Sequence, residues 1–300
     1  MENLKLGAKS ADVFQLKLLL TRIGYVGLTL DQNFDAFLDT KIKKFQDLRS
    51  LKTDGVVGPK TWEAIFTAAF AEKSRYEGVD ISHHENDDLA PADINWAMMR
   101  KAFWFCYVKA TQGNGYQDPK FSHNIQKLSE INMLRGGYHF MDFFSTEGVQ
   151  AEVDNFLENC PLDWRAKEIL PPCLDVEPTR SGDARLERRI TNDRFRILAD
   201  IKTWLDAVEK ATGRKPMIYT SRRVWDDMLG GGRDKGFENY RIWLADYRKS
   251  VTQPTPPKIW GTRYDIWQYS EDGAVGKNKG FDVNIINIPY KDLLTLANFK

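Results

Sequence analysis

Apolar positions recur at helical spacing three times in the first 70 residues, and then the rhythm changes. Over 11–23, Val13, Leu16, Leu19, Leu20 and Ile23 fall on one helical face. The same spacing returns over 37–48 at Leu38, Ile42, Phe45 and Leu48. A third run, 59–70, opens with Pro59 at a helix start, where its missing N–H would have no partner anyway. Gly24 ends the first run, and Asp54-Gly55 marks a turn before the third. Three short helices predict a small bundle with one core and no room for a deep pocket.

From residue 76 short apolar runs alternate with helical ones. Strands are predicted over 78–82, 103–109, 136–140, 173–177, 216–220, 241–245, 265–269 and 281–285. Helices are predicted over 94–101, 119–131, 146–159 and, as one long element, 183–212. Near-continuous apolar strands alternating with helices indicate a parallel sheet buried on both faces, and eight of them fit a closed α/β barrel better than an open sheet. The loops between the last three strands are rich in Gly, Pro and charge, so the helical ring is expected to be incomplete there. The fold class is therefore α/β: an irregular eight-stranded barrel over 76–300, a small all-α three-helix domain over 1–70, and a linker at 71–75.

Charge narrows the field. Lys plus Arg number 43 against 42 Asp plus Glu in 300 residues, a net charge of +1 that argues against nucleic acid as a partner. No uncharged apolar stretch is long enough for a membrane span, which argues against a membrane partner. Lys5, Lys9, Asp12 and Lys17 interrupt the apolar positions that a signal peptide would need, so the chain is expected to be made in the cytoplasm. Three cysteines, Cys106, Cys160 and Cys173, fit a reducing compartment. Nothing demands more than a monomer. Aromatics at 12%, nine of them Trp, point to stacking surfaces for flat, partly apolar ligands.

In a parallel α/β barrel, chemistry collects at the carboxyl ends of the strands. Asp80, Asp175, Glu177 and Asp282 fall at such ends, with Asp246 at another. Residues i and i+2 of a strand share a face, so Asp175 and Glu177 would enter one cavity. Crowded carboxylates cannot all ionise freely, and one with a raised pKa can act as an acid at neutral pH. Glycoside hydrolysis needs such an acid and a second group to stabilise positive charge on the sugar. Alone, an Asp-x-Glu pair more often marks a solvated strand end or a salt bridge. Here the acids recur on separate strands beside Tyr138, Tyr219, Trp243, Tyr247 and Trp267-Gln268-Tyr269.

Other motifs carry less. His83-His84-Glu85 and His139 lack metal-ligand spacing, so neither a metal nor a cofactor is expected. Gly113-Asn114-Gly115 reads as a turn, Ser82 and Ser145 lack a nucleophile elbow, and Cys173 reads as packed within its strand.

Eight motifs in order now identify a resemblance. They are Gly78-Val79-Asp80-Ile81-Ser82, Val108-Lys109-Ala110-Thr111-Gln112-Gly113 with Asp118-Pro119-Lys120-Phe121, and Arg135-Gly136-Gly137-Tyr138-His139-Phe140. Leu174-Asp175-Val176-Glu177, Ile218-Tyr219-Thr220, Ile242-Trp243-Leu244-Ala245, Ile266-Trp267-Gln268-Tyr269 and Phe281-Asp282-Val283-Asn284 follow. Residues 76–290 resemble the glycoside hydrolase family 25 muramidases, the Chalaropsis-type lysozymes. The resemblance implies hydrolysis of the β-1,4 bond between N-acetylmuramic acid and N-acetylglucosamine in peptidoglycan glycan strands. It implies Glu177 as general acid/base, and Asp175 as the group that orients the substrate's N-acetyl group or stabilises the cation directly. Asp80 and Asp282 would complete the acidic cleft, and Tyr138, Tyr219, Trp243, Asp246, Trp267 and Gln268 would contact the sugars. Glu85 stands where many members carry an amide.

Residues 4–70 resemble the three-helix peptidoglycan-binding module, chiefly through 7–13, 18–25, Phe45-Gln46 and 51–62. Asp31-Gln32-Asn33-Phe34-Asp35 is a degenerate form of the later Asp-Gly-x-x-Gly, which suggests a diverged duplication. The combination implies a modular hydrolase of the bacterial cell wall, and with a start Met and no signal-peptide core it is expected to be a phage or prophage endolysin. Two other readings stay open: a chitinase-like glycosidase, disfavoured because Cys173 stands where such strands carry Asp, and a non-catalytic wall-binding protein, disfavoured by the four acids.

Overall fold

The computed structural model describes residues 3–25, 27–70, 76–83, 94–232, 235–248, 252–275, 278–286 and 295–298. The chain divides into two compact units, the first built on the described residues up to 70 together with Ala97–Ala102, the second on the described residues of 76–96 and 103–298.

In the first unit the three predicted helices appear within one residue of their expected ends: α1 (Ala11–Arg22), α2 (Ala36–Leu48) and α3 (Pro59–Phe70). The Asp35 carboxylate caps α2 by accepting from Leu38 N at 2.7 Å, satisfying one of the orphan donors of its first turn. Val13, Leu16, Leu19, Leu20, Leu38, Ile42 and Phe45 form the core. Leu48, expected on that face, is 67% exposed at the helix end, and Gln46 is buried instead. Gln46 binds the turn before α3, donating to Val56 O (2.9 Å) and accepting from Gly55 N (2.9 Å). Gly55 sits at φ +75°, a conformation that favours glycine. Lys17 is fully buried and pairs with Asp31 at 2.8 Å.

The second unit is a closed barrel. Its strands are β1 (Tyr76–Ile81), β2 (Phe105–Gln112), β3 (Tyr116–Gln117), β4 (Leu134–Phe140), β5 (Cys173–Asp175), β6 (Met217–Ser221), β7 (Arg241–Ala245), β8 (Ile266–Val275) and β9 (Asn278–Ile286). The order β1-β9-β8-β7-β6-β5-β4-β2 closes through a β1–β2 pairing, leaving the two-residue β3 as a flap on β2. Gly113-Asn114-Gly115 is the turn of that β2–β3 hairpin.

Contrary to expectation, the eighth barrel strand does not run parallel to the rest: β9 is antiparallel to both β8 and β1. β8 ends at Val275 and β9 begins at Asn278, far too short a connection for a crossover. Asp282 therefore lies within β9, opposite Asp80 of β1, rather than at a carboxyl end.

Helices α4 (Trp96–Ala102), α5 (Phe121–Glu130), α6 (Val149–Asn159), α7 (Ala184–Asn192) and α8 (Arg194–Thr212) precede β6. The single long helix expected over 183–212 is broken at Asp193, whose N–H closes α7 on Arg189 O. Thr191-Asn192-Asp193 are residues whose side chains compete with helical backbone bonds. Between β6 and β9 the helical elements among the described residues are a π-helical turn (Arg223–Met228) and short 3-10 turns, so the ring of helices is incomplete there, as expected.

Glycines decide how the barrel fills. A Cβ on Gly78 would stand 2.3 Å from the Phe105 ring, and one on Gly136 would stand 2.5 Å from the Tyr107 ring. Both aromatic side chains are fully buried. Tyr107 packs against Trp243 with ring centroids 4.9 Å apart and the planes tilted by 32°. These rings form a solid floor, and polar side chains collect above it.

Candidate active site

Strand pairing brings the acids and aromatics together. Phe140 of β4 stands beside Asp175 of β5, Asp175 beside Tyr219 of β6, and Tyr219 beside Trp243 of β7. Asp80 and Asp282 are register partners, as are Gln268 and Asn284. Register partners share a face, and here that face is the barrel mouth. A cavity of about 220 Å³ opens there, lined by Asp80, Asp175, Glu177 and Asp282 together with Lys109, Tyr138, Phe140, Tyr219, Trp243 and Gln268. Ser82 lines it too.

A larger cavity, about 610 Å³, lies at the opposite end, among Pro171, Pro216, Arg241 and Asp265 at the strand starts. Its arginines are tied down. Arg214 donates to Trp164 O and Leu296 O, Arg263 to Tyr240 O, and Arg241 to Asp265 Oδ1. These contacts fasten the base of the barrel, so size alone does not mark the chemistry.

A chain of directed hydrogen bonds holds Asp80. Its Oδ1 accepts from Gln268 Nε2 (2.8 Å) and Asn284 Nδ2 (2.7 Å). The Trp243 indole N–H donates to Asn284 Oδ1 at 2.7 Å, which leaves the Asn284 amide group to face Asp80, because an indole can only donate. Tyr219 OH donates to Gln268 Oε1 at 2.7 Å, and Tyr247 OH donates to the same oxygen. Gln268 and Asn284 are buried, so both amides are oriented by their partners rather than by solvent.

Asp175 and Glu177 differ from Asp80. Burial pushes Asp175 well above the usual carboxylate range, and the adjacent Glu177 charge adds to the rise. Its Oδ1 is buried and has no hydrogen-bond partner among the described residues. Burial also raises Glu177, to about 7, against the pull of Lys109. Glu177 lies two residues past the end of β5 and is partly exposed, whereas Asp175 is buried. Buried carboxylates facing one lysine retain a proton near neutrality.

Not every expected sugar contact reaches the cavity. Trp267 precedes the inward Gln268 on β8 and so faces the other way; its indole donates to Asp246 O at 2.8 Å. The Asp246 carboxylate turns to Arg248 (2.6 Å) and Thr255 N (3.1 Å), and these partners hold it below the ordinary carboxylate range. Tyr247 reaches the site through its hydroxyl, which bonds Gln268 and lies 3.5 Å from the Tyr219 hydroxyl, and Tyr269 OH bonds Glu77. Cys173 is buried and free. His139 is enclosed between Thr111 (2.7 Å) and Glu152 (2.9 Å) and stacks on Trp204. Burial lowers its pKa to about 3 and raises that of Glu152 to about 8, so both are neutral at pH 7. His83 bonds Asp118 and Tyr116. His84 and Glu85 lie outside the described residues.

Lys109 and Asn284 belong to the site although neither stands out along the chain as a candidate. Each carries a signal: Lys109 is a cation two positions after the inward Tyr107, and Asn284 is two positions after Asp282.

Residues 79–277 match the Glycosyl hydrolases family 25. The chain belongs to this family. Residues 9–65 match the peptidoglycan binding domain family. Among family 25 relatives, lysozyme M1 of Streptomyces globisporus is 32% identical over 234 residues, covering 76% of this chain and 73% of that one. The N,O-diacetylmuramidase of Chalaropsis sp is 30% identical over 210 residues, covering 68% of this chain and 92% of that one. Among solved structures, the bacterial lysozyme from Streptomyces coelicolor superposes with a TM-score of 0.64 at 30% identity, covering 76% of this chain and 99% of that one.

Proposed function

We propose that this family 25 glycosidase is an N-acetylmuramidase that cuts the β-1,4 bond between N-acetylmuramic acid and N-acetylglucosamine in peptidoglycan. The observation that carries the proposal is Glu177, an acid that keeps its proton to about pH 7 beside the buried Asp175 in an aromatic-walled cavity. Glu177 gives that proton to the leaving glycosidic oxygen. Asp175 Oδ1 is an open acceptor for the acetamido N–H of the muramic acid. That hydrogen bond, and positive charge developing on the sugar, favour its ionised form. The acetamido oxygen then closes on the anomeric carbon as the glycosidic bond breaks. Ionised Glu177 next takes a proton from water, whose oxygen opens the ring intermediate and restores the acetamido group. Asp80, held by Gln268 and Asn284, and Asp282 stabilise the cation from the opposite wall. Tyr138, Tyr219 and Trp243 offer the sugar rings apolar faces.

One chain contains every residue of the cavity, so a monomer suffices. We place the site of action at the bacterial cell wall, with residues 1–70 as a tether that raises the local concentration of the barrel on its polymer. A net charge of +1 favours a glycan over nucleic acid as partner.

The test is the chemistry of the product. Purified protein is incubated with peptidoglycan and with chitin oligomers, and new reducing ends are identified by mass spectrometry. Muramic acid at the new reducing end is the expected result; cleavage of chitin alone would overturn the assignment. A second prediction concerns Lys109, whose charge pulls both Glu177 and Asp175 down. Lys109→Met removes that pull, so the protonated acid persists to higher pH. The alkaline limb of the kcat/KM profile should move up by about one pH unit. An unchanged limb would separate Lys109 from the ionisation of the acid.

A further inference from the structure

Between Glu177 and the first turn of α8 lies a run of charge that the reaction does not use. Residues 178–196 hold six arginines, no lysine and three acids, in a chain of net charge +1. The acids there are engaged. Asp183 caps α7, accepting from Arg185 N (2.9 Å) and Leu186 N (3.2 Å). Glu187 accepts from Arg223 at 2.6 and 2.7 Å. Asp193 lies 3.8 Å from Arg196, which also holds Asp200 at 2.7 Å. Arg180, Arg185, Arg188 and Arg189 are exposed and have no carboxylate partner among the described residues. The last three stand at i, i+3 and i+4 on α7, and so share one side of it.

Three loops at the carboxyl end of the barrel frame this helix. The loop after β5 carries Glu177 and leads into α7. The loop after β4 brings Phe144, whose ring centroid lies 3.6 Å from the Arg189 guanidinium. The turn after β6 brings Arg223 to Glu187. A groove of about 430 Å³ runs beside α7, with Arg188, Thr191, Asn192, Arg223 and Asp227 in its walls. The arginine face therefore belongs to the same end of the barrel as the acidic cavity.

The charges of the two are opposite. The cavity sets four carboxyl groups against a single cation, Lys109, so even with Asp175 and Glu177 protonated it offers an anion no net positive charge and suits neutral sugar rings. A muramic acid unit carries a peptide that ends in carboxylates, and cutting beside it requires those charges to be led elsewhere. Guanidinium groups match carboxylates in a two-point fork. A nine-residue helix such as α7 is about 13 Å long, close to the reach of about four extended residues. We propose that the Arg185/Arg188/Arg189 face of α7 docks the carboxylates of the stem peptide while the glycan occupies the cavity. This deepens the muramidase reading and rests on it.

The test uses the full chain and Arg185→Ala/Arg188→Ala, with Arg189 kept because it packs on Phe144. Two walls stripped of phosphate polymers are compared, one with free stem-peptide carboxylates and one with those carboxylates converted to amides. The unaltered chain should show a KM about fivefold lower on the free-carboxylate wall, a ratio the double variant reduces to about one at unchanged kcat. The proposal is overturned if the variant keeps that ratio, or loses activity equally on both walls. It is also overturned if the preference appears only with phosphate polymers left in place. Absence of muramic acid ends with either protein would instead sink the muramidase reading. Co-sedimentation of both proteins with the two walls then reads the arginine face alone, and equal pelleting rejects it.

Discussion

Glu177→Gln is expected to lower kcat by about three orders of magnitude while the protein still pellets with peptidoglycan. The glutamine keeps the shape of the side chain but has no proton to give to the glycosidic oxygen and no base form to activate water. A variant with near-full activity would remove Glu177 from the role of acid. The same substitution should raise stability, and the sign follows from the two pKa values. Glu177 has an ordinary value of 4.5 and rises to about 7 in the folded chain because burial disfavours its charge. Between these values the folded state binds more protons than the unfolded one, so stability falls as pH rises through this window, and the whole cost remains above it. Below pH 4.5 both states are protonated and the cost vanishes. Solvent access at the cavity mouth and the Lys109 charge limit the effect to about 2 kcal/mol at pH 8. Thermal unfolding of Glu177→Gln should therefore occur several degrees above that of the unaltered chain at pH 8, and at the same temperature at pH 4. A gain of equal size at both pH values would trace to packing instead of charge.

Part of that conflict between activity and stability is legible in the amino-acid sequence. Clustered carboxylates at the ends of apolar runs imply a raised pKa, and strand alternation places Asp175 and Glu177 on one face. Alternation gives the face of a residue but not the direction of its strand. Asp282 reads as a carboxyl-end residue because its apolar run looks like the others, and only the short β8–β9 connection makes the strand antiparallel. It still meets Asp80, because both directions of β9 keep the same residues inward. Alternation also forbids Trp267 and Gln268 from facing the same cavity, and the structure chooses Gln268. Asp246 leaves the site for another reason: a carboxylate near a strand end is drawn to whatever donor lies closest, here Arg248 and the Thr255 N–H. Lys109 and Asn284 are hidden in the sequence because their importance lies in partners contributed by other strands. Long-range pairing, from Asp80 to Gln268 and Asn284, is what the order of residues along the chain does not reveal.

Asp175→Asn is the variant that tells how the positive charge on the sugar is met. On N-acetylated wall it is expected to cost about two to three orders of magnitude in kcat, because the buried Oδ1 loses the negative charge that attracts the acetamido N–H. Removing the acetyl groups from the wall should slow the unaltered chain by a similar factor, since the internal nucleophile is then gone. The informative quantity is the combination. If Asp175 acts through the acetamido group, the two losses describe one interaction, and Asp175→Asn should slow cleavage of de-N-acetylated wall by little more than the missing acetyl group already does. If Asp175 instead stabilises the cation directly, the losses multiply. The four rates, two proteins on two walls, separate these outcomes without reference to absolute turnover. Asp175 is placed to act through an acetamido group because it is buried at the cavity with an acceptor left open, while Glu177, two residues on and nearer the solvent, is left to exchange protons.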